Sequence, residues 1–430
     1  MLSTARSAST RRSLLVSASP LIRCIGTPRG LTVASRTSRP SIKPTEVSCS
    51  RAQSALPAST TSQFEPPPRA WTSPDANMAK DQYTELTPEL YPPFPEGLPT
   101  VELETLSLDQ LLKGSADVQD RLFQVCKGRG FFYLDLQGSE VGDVILEGAQ
   151  QIARVGEKTF ELPLDEKMKY TQGKGARTLF GYKHVGATVT DKAGTKDTAE
   201  FFNVAKNDMI VPDEKMKHEW PAPVLEAKPL FRSYISTAHS IGMLLLGILA
   251  QKLGVDAAAI TSQHRIEEPA GDHVRITRGP PRKTEDMPEI QTPSHTDFGT
   301  ITLLMNWLGG LQVWSDSARK AELNDGQPDS AGEWLWVKPQ KGCAIINLGD
   351  AAVKFTNGVL CSGRHRVIPS PGAQGTWPRY SIVYFVRPED KCVLKQLRGK
   401  GIPDGPEEEG LTAQEWIYRQ AQGLGTKFEK

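Results

Sequence analysis

The chain has 430 residues, 38% hydrophobic and 23% charged, which suits one large globular domain with extensions or two domains. Its longest apolar run, Ile241 to Ala250, is far short of the roughly 20 residues that cross a bilayer, so neither a membrane span nor a membrane partner is expected. The net charge of +1 is uneven: residues 1–45 hold seven Arg, one Lys and no acid, leaving 43 basic against 50 acidic residues in a body with no global attraction for nucleic acid.

The Arg- and Ser-rich, acid-poor start has the composition of a mitochondrial transit peptide; a plain unstructured extension is the alternative. Pro, Ser and Thr continue to about Trp71, so residues 1–77 are expected to carry no chemistry. The protein would be cytoplasmic if translation starts near Met78 and mitochondrial if the leader is used. The six cysteines form no CxxC pair and no zinc spacing, which fits reduced thiols in an intracellular protein.

Pro99–Thr105 reads as a first strand, with Ser107 capping a helix near Leu108–Leu112. A helix over Val118–Lys127, a strand over Phe131–Leu136 and a long amphipathic helix over Glu140–Phe160 follow. Leu162-Pro163-Leu164 breaks that helix. Gly173–Gly194 reads as a Gly-rich loop with short strands, and Ala199–Val204 as a strand. Pro229–Leu253 has the strongest helical pattern in the chain, with Gly254 at the position that follows a helix end.

After it come short strands divided by Gly and Pro: His273–Thr277, Ile301–Leu304, Leu311–Trp314, Glu333–Val337, Cys343–Leu348, Val367–Pro369 and Ser381–Val386. Such spacing suggests a sandwich, jelly roll or barrel. A capping box from Thr412 to Glu415 opens a helix through about Gln422. Helices first and strands later argue for an α+β protein, a β core buttressed by an N-terminal helical layer. The expected divisions are a leader (1–77), a helical and strand layer (95–260), a β core (261–395) and a helical tail (396–430).

The chemistry gathers around PSHTDFGTITLLMNWLGGLQVW, residues 293–314. His295 and Asp297 stand two apart at the front of a β-branched run, where alternate side chains of a strand would share a face. Of the seven histidines only His365 lies downstream of this pair, in a turn leading into RHRVI. Fourteen residues later Arg379 and Ser381 form another i, i+2 pair. Two imidazoles and one carboxylate on one face of an octahedron leave three adjacent positions open, as non-haem Fe(II) uses them; zinc favours a closed tetrahedron or three ligands and a water. Arg379 beside Ser381 is a planar fork for a carboxylate, which 2-oxoglutarate carries at the end remote from its chelating keto acid.

Several motifs in order resemble one family. They are GFFYLDL (130–136), FELPLDEKMKY (160–170), EFFNV (200–204), HTDFGTITLL (295–304), GGLQVW (309–314), NLGDAAVKFTNG (347–358), SGRHRV (362–367) and RYSIVYF (379–385). Over about residues 95–395 the chain resembles the Fe(II)- and 2-oxoglutarate-dependent dioxygenases related to isopenicillin N synthase, with the fungal, thymine-hydroxylase-like branch nearest. The resemblance implies a double-stranded β-helix (jelly roll) with an N-terminal helical layer and a C-terminal helix. It also implies Fe(II) on His295, Asp297 and His365, and the far carboxylate of 2-oxoglutarate on Arg379 and Ser381. The co-substrates would be 2-oxoglutarate and O2, the products succinate, CO2 and an oxidised small molecule.

Where many relatives have Asn-Tyr-Tyr-Pro-Pro, this chain has Thr277-Arg278-Gly279-Pro280-Pro281, so a tyrosine that touches 2-oxoglutarate is missing; Arg278 or Arg275 are candidates to replace it. Asn347 and Asp350 are expected to build the turn around Gly349. Phe180, Tyr182, His184, Phe202, Trp307 and Trp314 are the candidates for a substrate wall, and helix 412–422 for a lid. Three readings stay open: a 2-oxoglutarate-dependent hydroxylase, an isopenicillin N synthase-like oxidase in which Arg379 and Ser381 hold the substrate's own carboxylate, and a binding module on the same scaffold. The substrate and the oligomeric state are not legible.

Overall fold

The computed structural model describes residues 86–171, 179–190, 194–282, 290–315, 332–405 and 410–423. The leader, and the transit-peptide reading with it, lies outside them. The described elements in chain order begin with β1 (Thr105–Ser107), α1 (Leu108–Leu112), α2 (Ala116–Gly128), β2 (Phe131–Asp135), α3 (Glu140–Glu161) and α4 (Leu164–Met168). Then come β3 (Gly181–Lys183), β4 (Glu200–Ala205), α5 (Lys206–Ile210), α6 (Ala222–Glu226), α7 (Lys228–Lys252), α8 (Ala257–Thr261) and β5 (His273–Gly279). The second half holds β6 (Thr292–His295), β7 (Ile301–Asn306), β8 (Leu311–Trp314), β9 (Trp334–Trp336), β10 (Cys343–Leu348), α9 (Asp350–Phe355), β11 (His365–Val367), β12 (Arg379–Val386) and α10 (Ala413–Gly423).

Two sheets organise this mixed α/β architecture. The larger has eight strands in the order β1-β2-β10-β7-β12-β5-β4-β3; the smaller has four, β6-β11-β8-β9. The helix-rich half thus supplies both flanks of the large sheet, β1 and β2 at one side, β4 and β3 at the other. The first strand is displaced from its expected place: pairing with β2 begins at Thr105, and upstream Thr100 makes only an isolated bridge to Trp336.

Alternation along the strands explains both cores. Phe132 and Leu134 of β2, Leu303 and Met305 of β7, Ile382 and Tyr384 of β12, and Val274 and Ile276 of β5 turn one way, into a core shared with the helices. Their neighbours Phe131, Tyr133, Leu304 and Ile345 turn the other way and pack with Leu311 and Val313 of the small sheet. Helix α7 is long and apolar enough to cross a membrane, yet two-thirds of its most apolar stretch is buried against the rest of the protein. Gly242 on α7 lies so close to β12 that an added Cβ would stand 2.9 Å from Val386 Cγ2.

The caps read from the sequence form. Ser107 Oγ accepts the Gln110 N–H at 3.3 Å, and Gly254 has φ +67°. Thr412 and Glu415 exchange bonds of 3.2 and 3.0 Å.

Candidate functional site

His295 and Asp297 do not share one strand. His295 ends β6 in the small sheet, β7 starts at Ile301 in the large one, and Asp297 sits in the crossover between them. The pair meets because of that crossover, not because of strand alternation. β11 runs antiparallel to β6 with His365 opposite His295, and their ring centroids are 4.3 Å apart. Both Nε2 atoms face the same oxygen, Asp297 Oδ1, at 3.7 Å from His295 and 3.8 Å from His365. These separations exceed a hydrogen bond and leave the gap that a shared cation would fill. One ligand atom from each residue lies within 4.8 Å of the others, the one such group of His, Cys, Asp or Glu among the described residues.

The surroundings orient all three donors outward. His295 Nδ1–H donates to Pro293 O at 2.8 Å and His365 Nδ1–H to Gly363 O at 3.1 Å, leaving each Nε2 lone pair free. Asp297 Oδ2 accepts from Thr302 Oγ1 at 2.6 Å and Asn347 Nδ2 at 2.7 Å, so Oδ1 remains for a metal. Burial pushes the Asp297 carboxyl up, but His365, His295 and those two bonds outweigh it and hold it at about 2. Burial, then the neighbouring His365, pushes His295 down to about 4. The set is therefore one carboxylate and a neutral His295 at pH 7, as a divalent cation requires.

Asn347 and Asp350 do more than shape a turn. Asn347 stands opposite Thr302 across β10 and β7, and both grip the Asp297 carboxylate. Asp350 opens α9, accepts from Thr296 Oγ1 at 2.9 Å and from Ser362 Oγ at 2.5 Å, and its N–H donates to Asp297 O at 2.7 Å. It ties the loop carrying Asp297 to the one leading to His365. Burial raises its carboxyl to about 6, against the bonds from Ser362 and Thr296.

A cavity joins this cluster to Arg379 and Ser381. Its wall takes Thr302 and Leu304 from β7 and Arg379, Ser381, Val383 and Phe385 from β12, the inward alternate residues of each. That periodicity, counted from Arg379, was the available signal for Val383 and Phe385. Arg379 is 2% exposed, and burial pulls its guanidinium down to about 10. Among the described residues its one hydrogen-bond partner is Gly309 O, 2.8 Å from Nε. The double glycine makes room for it: Gly310 has φ +124°, and a Cβ there would stand 2.8 Å from Arg379 Nε. The two glycines of the GGLQ turn make room for the arginine, and its Leu311 lines the cavity.

None of the six aromatic and imidazole candidates lines this cavity. Tyr182 and Phe202 point to the opposite face of their strands, rings 5.0 Å apart, with Tyr182 Oη donating to Glu200 at 2.6 Å. Phe180 packs edge-on to His218 at 5.2 Å, and His184 Nδ1 donates to Val185 O at 2.8 Å. Trp307 belongs to the main core beside a second cavity, and Trp314 packs against Trp334 at 5.0 Å. Large aromatics in this chain fill volume, which is their commoner use.

Arg278 is not the missing tyrosine's substitute either. It lies on the helix side, with Nε 2.8 Å from Glu200 Oε1, and does not reach the cavity. The next residue, Gly279, faces the Gln291 carboxamide, which a Cβ on Gly279 would strike. Gln291 is 3% exposed and lines the cavity.

Fold and site together set a cluster that could hold a metal ion beside a buried guanidinium inside a two-sheet cavity. Two family descriptions match the chain: the N-terminal part of the non-haem dioxygenases in morphine synthesis over residues 98–223, and the 2OG-Fe(II) oxygenase superfamily over residues 270–388. A 2-oxoglutarate-dependent dioxygenase of Aspergillus fumigatus is 32% identical over 346 residues, 76% of this chain and 88% of the relative. One of Glarea lozoyensis is 30% identical over 301 residues, 70% of this chain and 84% of the relative. The solved structure of full-length Neurospora crassa thymine-7-hydroxylase in complex with alpha-KG superposes with a TM-score of 0.61 at 21% identity, over 76% of this chain and 97% of that one. The chain belongs to the 2OG-Fe(II) oxygenase superfamily. It is an oxidoreductase that works with Fe(II), 2-oxoglutarate and O2.

Proposed function

We propose that His295, Asp297 and His365 bind the Fe(II), that Arg379 and Ser381 hold the far carboxylate of 2-oxoglutarate, and that the prime substrate is a small molecule. The observation that carries this is the convergence of two Nε2 atoms and one carboxylate oxygen on a single point, in a cavity that also holds a buried guanidinium with no ion pair among the described residues. The two sheets would then be the halves of a double-stranded β-helix, covered by an N-terminal layer (about 95–260) and followed by a helical tail (396–430).

Bound Fe(II) supplies the activation of O2 that couples loss of CO2 from 2-oxoglutarate, giving succinate, to oxidation of a substrate C–H bond. The protein's part is positional. Pro293 O and Gly363 O fix the two imidazoles as Nε2 donors, while Thr302 and Asn347 hold Asp297 Oδ2 so that only Oδ1 faces the metal. Arg379 supplies a fixed positive charge where one end of a dicarboxylate needs it, in a site lean in water where such a charge acts strongly. Leu304, Leu311, Val367 and Val383 line the space between and exclude solvent.

With Fe(II) and 2-oxoglutarate, the purified protein should release succinate slowly without its prime substrate. His295→Ala or Asp297→Ala should abolish iron binding and succinate release; a variant with full activity overturns the metal assignment. Arg379→Ala should raise the KM for 2-oxoglutarate roughly tenfold or more, since it removes a charge-assisted anchor. An unchanged KM would move the anchor elsewhere.

A further inference from the structure

Two basic groups stand against Phe385, behind the wall that this ring gives the cavity. Arg387 follows the end of β12 and is 5% exposed, and its Nε and Nη1 are buried with no partner among the described residues. Arg275 on β5 faces the same side; its Nε donates to Asn203 Oδ1 at 2.8 Å, and its guanidinium forms no ion pair among the described residues. Both guanidiniums sit over the ring of Phe385, Arg275 at 5.1 Å and Arg387 at 5.6 Å from its centroid, and Phe385 lines the cavity. Arg275 is also clamped from below by Phe201, at 4.2 Å. Two rigid, planar forks thus flank one aromatic wall of the space beside the metal cluster.

Of the acids nearby, Asp272 and Asp297 are committed elsewhere, and Asp390 Oδ2 accepts from Gln414 Nε2 at 3.3 Å. Asp272 Oδ1 accepts the backbone N–H of Arg387 at 2.8 Å, not its guanidinium, and Oδ2 accepts Tyr384 Oη at 3.1 Å. Asp297 Oδ2 is held by Thr302 and Asn347, and its Oδ1 faces the two imidazoles. Burial pushes both arginines down to about 10, and in Arg275 the charge of Arg387 adds to it. A buried donor without a partner costs about 1–3 kcal/mol, more when charged, and proteins rarely keep one that nothing will satisfy.

We infer that Arg275 and Arg387 form a subsite for a carboxylate carried by the prime substrate, with Phe385 as the apolar floor beneath the adjoining carbon skeleton. A carboxylate is the group that a planar guanidinium fork binds through two parallel N–H donors, and Arg275 and Arg387 offer two such forks. This rests on the reading of the cavity given under Proposed function, because the acid would hold the substrate's C–H bond toward the metal cluster. It assigns Arg275 to the substrate and not to 2-oxoglutarate.

The test uses the full-length protein with Fe(II) and 2-oxoglutarate under anaerobic conditions. The visible charge-transfer band of the chelated keto acid reports the co-substrate, and calorimetry reads the binding of probes. The probes are benzoate, phenylacetate, cinnamate and hexanoate, each beside its primary amide, which matches the shape without the charge. At least one acid should bind about tenfold or more tightly than its amide. Arg387→Gln and Arg275→Gln should each remove that preference while leaving the band intact, and Arg387→Lys should retain part of it. If Arg387→Gln does not fold, Arg275→Gln, whose strand partners remain, decides alone. Acids and amides binding alike, none of the four acids binding, or variants that keep the preference would overturn the subsite. A missing band in the wild-type protein would instead count against the co-substrate reading, while calorimetry still judges the subsite.

Discussion

Replacing Asn347 by Ala removes one of two hydrogen bonds to Asp297 Oδ2, the one of 2.7 Å, and leaves the Thr302 bond of 2.6 Å. A bond to a charged acceptor is worth about 1.5–3 kcal/mol. Loss of a partner behind a metal ligand typically costs 10–100-fold in affinity, or about 1.4–2.7 kcal/mol, so the two estimates agree. The loss would be one of orientation and not of charge. The carboxyl is held at about 2, below its ordinary 3.8, and even full relaxation leaves it ionised at pH 7. Anaerobic Fe(II) titration should therefore show affinity down 10–100-fold, while succinate release recovers to within about threefold at saturating iron. Thr302→Val should act in the same direction, and the two should not add simply, because both bonds end on one oxygen. Iron affinity within about twofold of the wild type, or activity that excess iron does not restore, would refute the reasoning.

Burial lowers His264 to about 4, and its neutral ring accepts from Thr300 Oγ1 at 2.7 Å while donating to Ile260 O at 2.8 Å. A folded value below the unfolded 6.5 means stability fully present above pH 6.5 and lost as pH falls toward 4, by about 3 kcal/mol. Thermal melts between pH 7 and 4 should steepen accordingly, and His264→Gln should flatten that dependence; an unchanged slope would clear His264 of the effect. Gly156→Ala on α3 would place a Cβ 2.5 Å from Ile276 Cγ2 of β5, an overpacking that costs about 1–3 kcal/mol. A melting temperature equal to that of the wild type would mean that α3 can step back from the sheet without loss.

The local signals in the chain were strong where a single element decides its own shape. The helix at 228–252 and the strands at 311–314 and 343–348 follow from periodicity and from the Gly and Pro that bound them. The caps at Ser107 and Thr412 are chemistry within four residues. The three residues that the structure brings together, His295, Asp297 and His365, were legible as a candidate set because only one histidine follows the His-x-Asp pair, and because order and spacing matched a family.

The readings that failed depended on which face a side chain takes or on which sheet a strand joins. Tyr182 and Phe202 read as plausible wall residues, but the register of β3 with β4 turns them into the helix-side core. Asn347 read as a turn former until the pairing of β10 with β7 set it opposite Thr302, where both reach Asp297. Arg275 and Arg278 are three apart on one strand, so one faces the cavity side and the other Glu200.

Donor types, their order and the reaction family are properties of residues and their spacing, and the linear chain carries them in full. Packing of distant segments settled the rest. The carboxylate arrives through a crossover between two sheets, paired glycines admit Arg379, and two arginines without an ion pair among the described residues stand around Phe385. Two of those facts are set by contacts between residues 70 and 110 positions apart, Gly309 with Arg379 and Arg275 with Phe385, which no local pattern encodes.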